Sequence, residues 1–251
     1  MSYQAINVRS EETVRYIELR QATISGRLIE ECDQVLQECE SDASVVVLSG
    51  GNPEVFCLGA DFGGVGAQGW DEEQHRRQTG QLYDVWTRLA AGPYLSIACV
   101  QGKANAGGMG FVAACDIVLA DAAAKFSLSE LLFGLYPACV LPFLVRKIGL
   151  HRAHYLALST HPVDVEQAVC WGLVDAQDAR VDALLRRQLV RLRRIAKPAI
   201  RRYKAYVSDL YPFPKDAREK ALAGNLEVFS DPSNIRAISR YARTGLFPWD
   251  A

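Results

Sequence analysis

Ser96-Ile97-Ala98-Cys99-Val100-Gln101-Gly102-Lys103-Ala104-Asn105-Ala106-Gly107-Gly108-Met109-Gly110 passes from an apolar run into a turn of small residues and then into a helical stretch that reaches Ala114. A short apolar run bounded by Gly, Pro or Ser is the pattern of a buried strand. Val45-Val46-Val47-Leu48 and Ile117-Val118-Leu119-Ala120 are runs of the same kind, and helical stretches separate them, notably around Gln81 to Ala90 and Gly110 to Ala114. Strand and helix alternate, which predicts an α/β chain with a largely parallel sheet and crossover helices.

Outward from this centre, Ala5 to Val8 and Thr13 to Leu19 alternate apolar with polar residues and predict a strand pair, and Leu28 to Cys39 has helical periodicity. The second half changes character. Pro142 to Gly149 and Val165 to Gly172 read as helical, and Val181 to Leu210 is a long arginine-rich helical region broken at Lys197-Pro198. No strand signal of comparable strength returns, so a core over 1–160 and a helical region over 161–251 are expected. Tyr211-Pro212-Phe213-Pro214 and Phe247-Pro248-Trp249 read as turns or tails.

A second small-residue turn, Gly59-Ala60-Asp61, follows the apolar run Val55-Phe56-Cys57-Leu58. Two such turns brought together would aim two backbone N–H groups at one carbonyl oxygen, as an enolate or tetrahedral oxyanion requires. Small side chains let an acyl group approach the main chain. Either turn alone reads equally well as an ordinary connection.

Composition narrows the class. The chain has 251 residues, 49% of them hydrophobic, enough for a sizeable core, and its formal net charge of -1 predicts no dominant attraction to nucleic acid or membrane. Seven dispersed cysteines without CxxC spacing read as reduced thiols of a cytoplasmic protein. No basic-then-apolar leader and no membrane-length apolar stretch is found. His75, His151, His154 and His161 have no metal-ligand partner at suitable spacing, so no metal is expected.

Phe56-Cys57-Leu58-Gly59-Ala60-Asp61-Phe62, the Gly102 to Asp116 stretch, Phe126-Ser127-Leu128-Ser129-Glu130, Gly134-Leu135-Tyr136-Pro137 and Ala168 to Val174 together resemble the enoyl-CoA hydratase/isomerase (crotonase) superfamily. The resemblance runs in order through most of the chain. It implies a spiral core of ββα units, a helical C-terminal trimerisation region giving a homotrimer or dimer of trimers, and acyl-thioester substrates with no bound cofactor. It further implies that the oxyanion N–H groups belong to Ala60 and Gly107, with Asp61 and Gly108 beside them as substrate-binding residues.

Hydratases of that family carry two glutamates, at positions matching Gly110 and Glu130 here, and only Glu130 is present. Glu130 precedes Leu131-Leu132-Phe133, so a carboxylate is set among apolar groups, where desolvation raises its pKa toward neutral pH. A helix-terminal charge is the plainer reading of the same residue. One acid/base with an oxyanion hole can run an elimination, with Asn105 and Ser129 as neutral groups to orient a departing hydroxyl; both residue types also serve as turn or cap residues.

A proline- and asparagine-containing segment that grips CoA in the family is replaced by Leu19-Arg20-Gln21-Ala22-Thr23-Ile24-Ser25-Gly26. An acyl group on the phosphopantetheine of an acyl carrier protein needs no adenine pocket, only a surface for an acidic partner. Arg193, Arg194, Arg201 and Arg202, with Arg186, Arg187, Arg191 and Lys204, offer that charge, or simply a solvated helix face. These departures, with Ser127 to Leu135 and Pro137 to Phe143, resemble the dehydratases of polyketide β-branching. That resemblance implies 3-hydroxy-3-methylglutaryl-carrier protein dehydrated to 3-methylglutaconyl, followed by a decarboxylase of the same superfamily. A CoA-linked hydratase, such a decarboxylase and a non-catalytic trimeric scaffold remain the alternatives. Arg76, Arg77, Arg88 and Lys103 are the cations open to a distal substrate carboxylate.

Overall fold

The computed structural model describes residues 3–60 and 71–250. In chain order the elements are β1 (Ile6–Glu11), β2 (Val14–Leu19), α1 (Gly26–Asp42), β3 (Val45–Gly50), β4 (Val55–Cys57), α2 (Glu72–Ala91), β5 (Leu95–Val100), β6 (Lys103–Asn105), α3 (Gly107–Ala114), β7 (Ile117–Ala120) and β8 (Lys125–Ser127). A one-turn 3-10 helix (Glu130–Phe133) comes next. The rest comprises α4 (Leu141–Ser159), β9 (Val163–Asp164), α5 (Val165–Trp171), β10 (Ala176–Gln177), α6 (Val181–Leu192), α7 (Lys197–Leu210), α8 (Phe213–Asp216), α9 (Arg218–Phe229) and α10 (Pro232–Thr244).

The apolar runs are strands because both of their faces are covered. Val46 and Leu48 of β3 enter the main core, packed under α1 and α2, whereas Val45 and Val47 enter a second core that α6 closes with Leu184, Leu185 and Leu189. β5 divides in the same way, Ala98 and Val100 to one side, Ile97 and Cys99 to the other. These strands lie in a six-stranded sheet of order β1-β2-β3-β5-β7-β10, in which only β1 runs antiparallel to its neighbour.

Each repeat of the chain places its second, shorter strand in another sheet, of order β4-β6-β8-β9. The pairs β3–β4, β5–β6 and β7–β8 each contribute one strand to the large sheet and one to the small one, the ββα spiral that the resemblance implied. β4, β6 and β8 are parallel neighbours, so their carboxyl ends lie side by side, about 4.8 Å apart from strand to strand. Those three ends build the site.

Residues 163–177, beyond the division expected at 160, add β9 to the small sheet and β10 to the large one. The helix expected to stop at Gly149 does break there, at φ 78°, and re-forms as the second part of α4. Phe213-Pro214 opens the short helix α8, where a turn was expected, because Pro pre-sets the φ of a first helical turn. Among the described residues no helix is long and apolar enough to cross a membrane.

Candidate active site

β4 ends at Cys57 and leads into Leu58-Gly59-Ala60. Gly59 has φ +93°, a conformation that side chains disfavour, and a Cβ there would lie 2.9 Å from both the Ala106 Cβ and the Gly107 nitrogen. The two small-residue turns therefore meet, as their composition suggested. The Ile24 N–H donates to the Gly59 carbonyl at 2.8 Å, and Ile24 forms an isolated parallel bridge with Ala60, which ties this segment down.

β6 ends at Asn105 and leads through Ala106 into α3, whose first residue is Gly107. A Cβ on Gly107 would stand 3.9 Å from the Ala60 nitrogen. The N–H of a first helical residue has no partner within its helix, and neither the Ala60 nor the Gly107 N–H bonds to a carbonyl among the described residues. Two backbone donors thus stand together at the positive end of a helix. Ala106 holds φ 47° and ψ -125°, outside the usual range of an alanine, at a strain of ~1–3 kcal/mol. Its N–H is tied to the Ser127 carbonyl at 3.1 Å, which over-determines the bend that aims Gly107. Nothing in the composition of the turn marks Ala106 as strained.

β8 ends at Ser127 and leads to Glu130, first residue of the 3-10 helix. The Glu130 Oε2 is buried and has no hydrogen-bond partner among the described residues. Burial pushes this carboxyl up from 4.5 to about 7, only partly offset by the backbone N–H groups of Glu130 and Ser129. It can therefore hold or release a proton near neutral pH.

Asn105 and Ser129 come together: the Asn105 Nδ2 donates to the Ser129 Oγ at 2.9 Å, and the Ser127 Oγ donates to the Asn105 Oδ1 at 2.8 Å. Gly108 is buried and a Cβ there would collide with the Cys57 carbonyl, so it is a packing residue beneath the Gly107 turn. A Cβ on Gly110 would fall inside the indole of Trp86, a fully buried residue. The place of the second family carboxylate is filled by that ring, which no sequence signal indicated. Asp61 lies outside the described residues.

The cations fare unevenly. Lys204, expected to face a carrier, is buried instead: it sits 4% exposed, with its Nζ 2.6 Å from Asp116 Oδ2 and bonded to the carbonyls of Leu89 and Tyr94. Arg193 is paired with Glu11 at 2.7 Å, and Arg187 with Asp178. Arg194, Arg201 and Arg202 are exposed. Arg88 is tied to Asp33 and Glu40, while Arg76, Arg77 and Lys103 are exposed. His75 bonds Asn225 at 2.7 Å and packs against the Phe229 ring at 4.8 Å, a packing role. Among the described residues no cluster could hold a metal ion. Cavities of about 670 and 660 Å³ lie elsewhere, the first under α6 beside Arg9, Cys99 and Arg193, the second beside Lys147, Lys204 and Phe213. The convergence of three strand ends locates the site better than either cavity does, because two backbone donors and a buried carboxyl oxygen coincide there.

Residues 9–251 match the enoyl-CoA hydratase/isomerase family. The bacillaene synthase dehydratase PksH of Bacillus subtilis is 50% identical over all of this chain and 98% of its own length. A crystal structure described as a polyketide biosynthesis enoyl-CoA hydratase from Bacillus subtilis superposes with a TM-score of 0.91 at 50% identity, covering 98% of this chain and all of that one. An enoyl-CoA hydratase/isomerase from Xanthobacter autotrophicus Py2 superposes with a TM-score of 0.88 at 22% identity, over 98% of this chain and 95% of that one; that likeness concerns the fold.

Proposed function

Because the chain belongs to the enoyl-CoA hydratase/isomerase family, we propose from its site that it is a hydro-lyase that dehydrates a 3-hydroxyacyl thioester. The observation that carries this reading is the Glu130 carboxyl, its buried Oε2 without a partner among the described residues, just past the end of β8 and beside the strand ends that carry the Ala60 and Gly107 N–H groups. Glu130 takes the proton on the carbon next to the thioester. The electrons of that C–H bond pass into an enolate whose oxygen accepts from the Ala60 and Gly107 N–H groups. As the C=C bond forms, the β C–O bond breaks and Glu130 returns its proton to the departing hydroxyl, releasing water.

Ser129 already accepts a hydrogen bond from Asn105, which leaves its own proton to donate to the leaving hydroxyl. Trp86 stands where a second carboxylate would have to stand, so Glu130 alone carries the proton transfer in this reading. The substrate is read as 3-hydroxy-3-methylglutaryl and the product as 3-methylglutaconyl, passed to a decarboxylase; the name of the 50% identical relative supports a place in polyketide assembly. The acyl group rides on the phosphopantetheine of an acyl carrier protein, with Arg194, Arg201 and Arg202 as its exposed partners and Arg193 less free to serve. No bound cofactor is required.

The enzyme works in the cytoplasm, and residues 161–251 assemble it into a homotrimer or dimer of trimers. Support comes from the exposed apolar residues Tyr203, Tyr206 and Leu210 on α7.

The test is to incubate the protein with hydroxymethylglutaryl-carrier and read intact masses. Loss of water is expected. Loss of CO2 would make it a decarboxylase, and no change would make it a scaffold. Turnover should be faster on carrier than on CoA, with an advantage that shrinks as salt rises and as Arg194 and Arg202 are reversed in charge. Equal rates at low salt would make it a CoA enzyme.

A further inference from the structure

Among the described residues the Glu130 carboxylate is held by no other side chain: its Oε2 is unpartnered and its electrostatic partners are the backbone N–H groups of Ser129 and Glu130 themselves. Its aim is therefore set by the backbone of the 3-10 turn. A single turn of this kind forms few hydrogen bonds and has little stability of its own. Around it, the Leu132 N–H donates to the Ser129 carbonyl, the Gly134 N–H to the carbonyls of Glu130 and Leu131, and the Leu135 N–H to the Glu130 carbonyl. Its position depends on what packs against it.

One side of the turn is tied to the small sheet through Ser129 and Asn105. The other side is met by the C-terminal part of the chain. Asn234 of α10 donates from Nδ2 to the Gly134 carbonyl at 3.1 Å and to the Val228 carbonyl at 3.0 Å, so one amide joins the end of the turn to the end of α9. Gly134 caps the turn at φ 77°, and a Cβ there would collide with the Asn234 side chain. Phe133 lies 5.1 Å from the Tyr241 ring and 5.8 Å from the Phe247 ring, and Phe247 stacks on Trp249 at 4.8 Å. Phe133 and Leu135 share a separate small core with Val228 and Ile238. This core is apart from the two that build the sheet, and the turn forms one wall of it.

We propose that Asn234, Tyr241 and Phe247 are positioning residues, which clamp the Glu130 turn between the small sheet and α10 and so hold the carboxylate in register with the Ala60 and Gly107 N–H groups. The proposal rests on the reading of Glu130 as the proton-transfer group. The C-terminal segment is then part of the working site and has a role distinct from subunit assembly. The segment after α10 is itself pinned, since the Arg240 guanidinium donates to the Asp250 carbonyl and the Phe247 N–H donates to the Asp250 carboxylate at 2.8 Å.

Full-length Phe247→Ala, Phe247→Leu and Asn234→Ala are compared with the unmodified enzyme in steady-state kinetics and in amide hydrogen exchange. Phe247→Ala and Asn234→Ala should lower kcat by ~10-fold or more, as displacement of a reacting group does. KM should stay within about twofold, since substrate contacts are kept. Exchange should quicken at Leu132, Gly134 and Leu135 while β3 and β5 stay protected. Phe247→Leu should recover most of kcat.

Unchanged kcat in both variants overturns the proposal, whether or not exchange quickens. A loss of kcat with exchange rising throughout the protein, and no recovery in Phe247→Leu, also overturns it, because the residues would then serve stability alone. The two readings fail separately. Normal turnover by Glu130→Gln removes Glu130 from the chemistry, whereas normal turnover by Phe247→Ala and Asn234→Ala in an enzyme that needs Glu130 removes the clamp.

Discussion

The Asn105 amide donates to the Ser129 hydroxyl at 2.9 Å, while its carbonyl oxygen is occupied by the Ser127 hydroxyl at 2.8 Å. Asn105 and Ser127 are register partners on β6 and β8, so the ladder itself sets this relay. With one lone pair engaged, Ser129 keeps its own proton to donate. Ser129→Ala should therefore lower kcat by ~10-fold, the lower range for one positioned donor, and leave the fold intact. Measured kcat equal to that of the unmodified enzyme would reduce the relay to a structural tie.

Glu130→Gln keeps the shape of the side chain and removes its basicity, so turnover should fall by ~10²-fold or more. In the unmodified enzyme kcat/KM should rise with pH through about 7, as the carboxyl loses its proton. A flat profile across that range would contradict the assignment.

The same carboxyl makes stability depend on pH. Its pKa is higher folded than unfolded, so its contribution is fully present below the usual 4.5 and is lost as pH rises through about 7. Across that window the unmodified protein should lose ~3 kcal/mol that Glu130→Gln does not lose. Urea midpoints of both proteins on either side of the window measure it, and parallel curves would mean that the carboxyl titrates as it does in water.

Gly107→Pro deletes one of the two backbone donors at a helix position where Pro is tolerated, and turnover should fall by ~10²-fold or more. Gly107→Ala is its control, because it keeps the N–H and its Cβ would lie 3.1 Å from the flexible Ile24 Cδ1. Circular dichroism checks both folds. A folded, active Pro variant would mean that the carbonyl is held elsewhere.

Gly110→Glu should not produce a hydratase. The new side chain would overlap the Trp86 indole, and overpacking costs ~1–3 kcal/mol before any buried charge is counted. A lowered melting temperature without gain of water addition to an enoyl thioester is expected. Retained stability would show that Trp86 can move aside.

The large sheet was legible because β3, β5 and β7 are buried on both faces and so are spelled as continuous apolar runs. The small sheet was not, since strands of three residues such as Lys103–Asn105 are too short to show a period. Ala60, Gly107 and Glu130 were reached through resemblance, and the geometry adds what the letters lack, namely that their strand ends are neighbours. Lys204 was misread because a cation on an arginine-rich helix looks solvated until Asp116, far off in the chain, is seen against it. Trp86, Ala106, Asn234 and Phe247 were missed for the same reason. Each acts through a contact or a backbone angle that no local pattern encodes.

Because the groups of the site descend from three adjacent strands, the width of the site is a property of the hydrogen-bond ladder, not of its loops. Such a site cannot be stretched sideways without breaking the ladder that creates it. Room for a different acyl chain has to be found lengthwise, and a change of chemistry has to come from exchanging single residues just past each strand. A scaffold of this kind invites diversification by substitution at a few fixed addresses, and anyone redesigning it would do well to leave the strands alone and vary only the residues at their outlets.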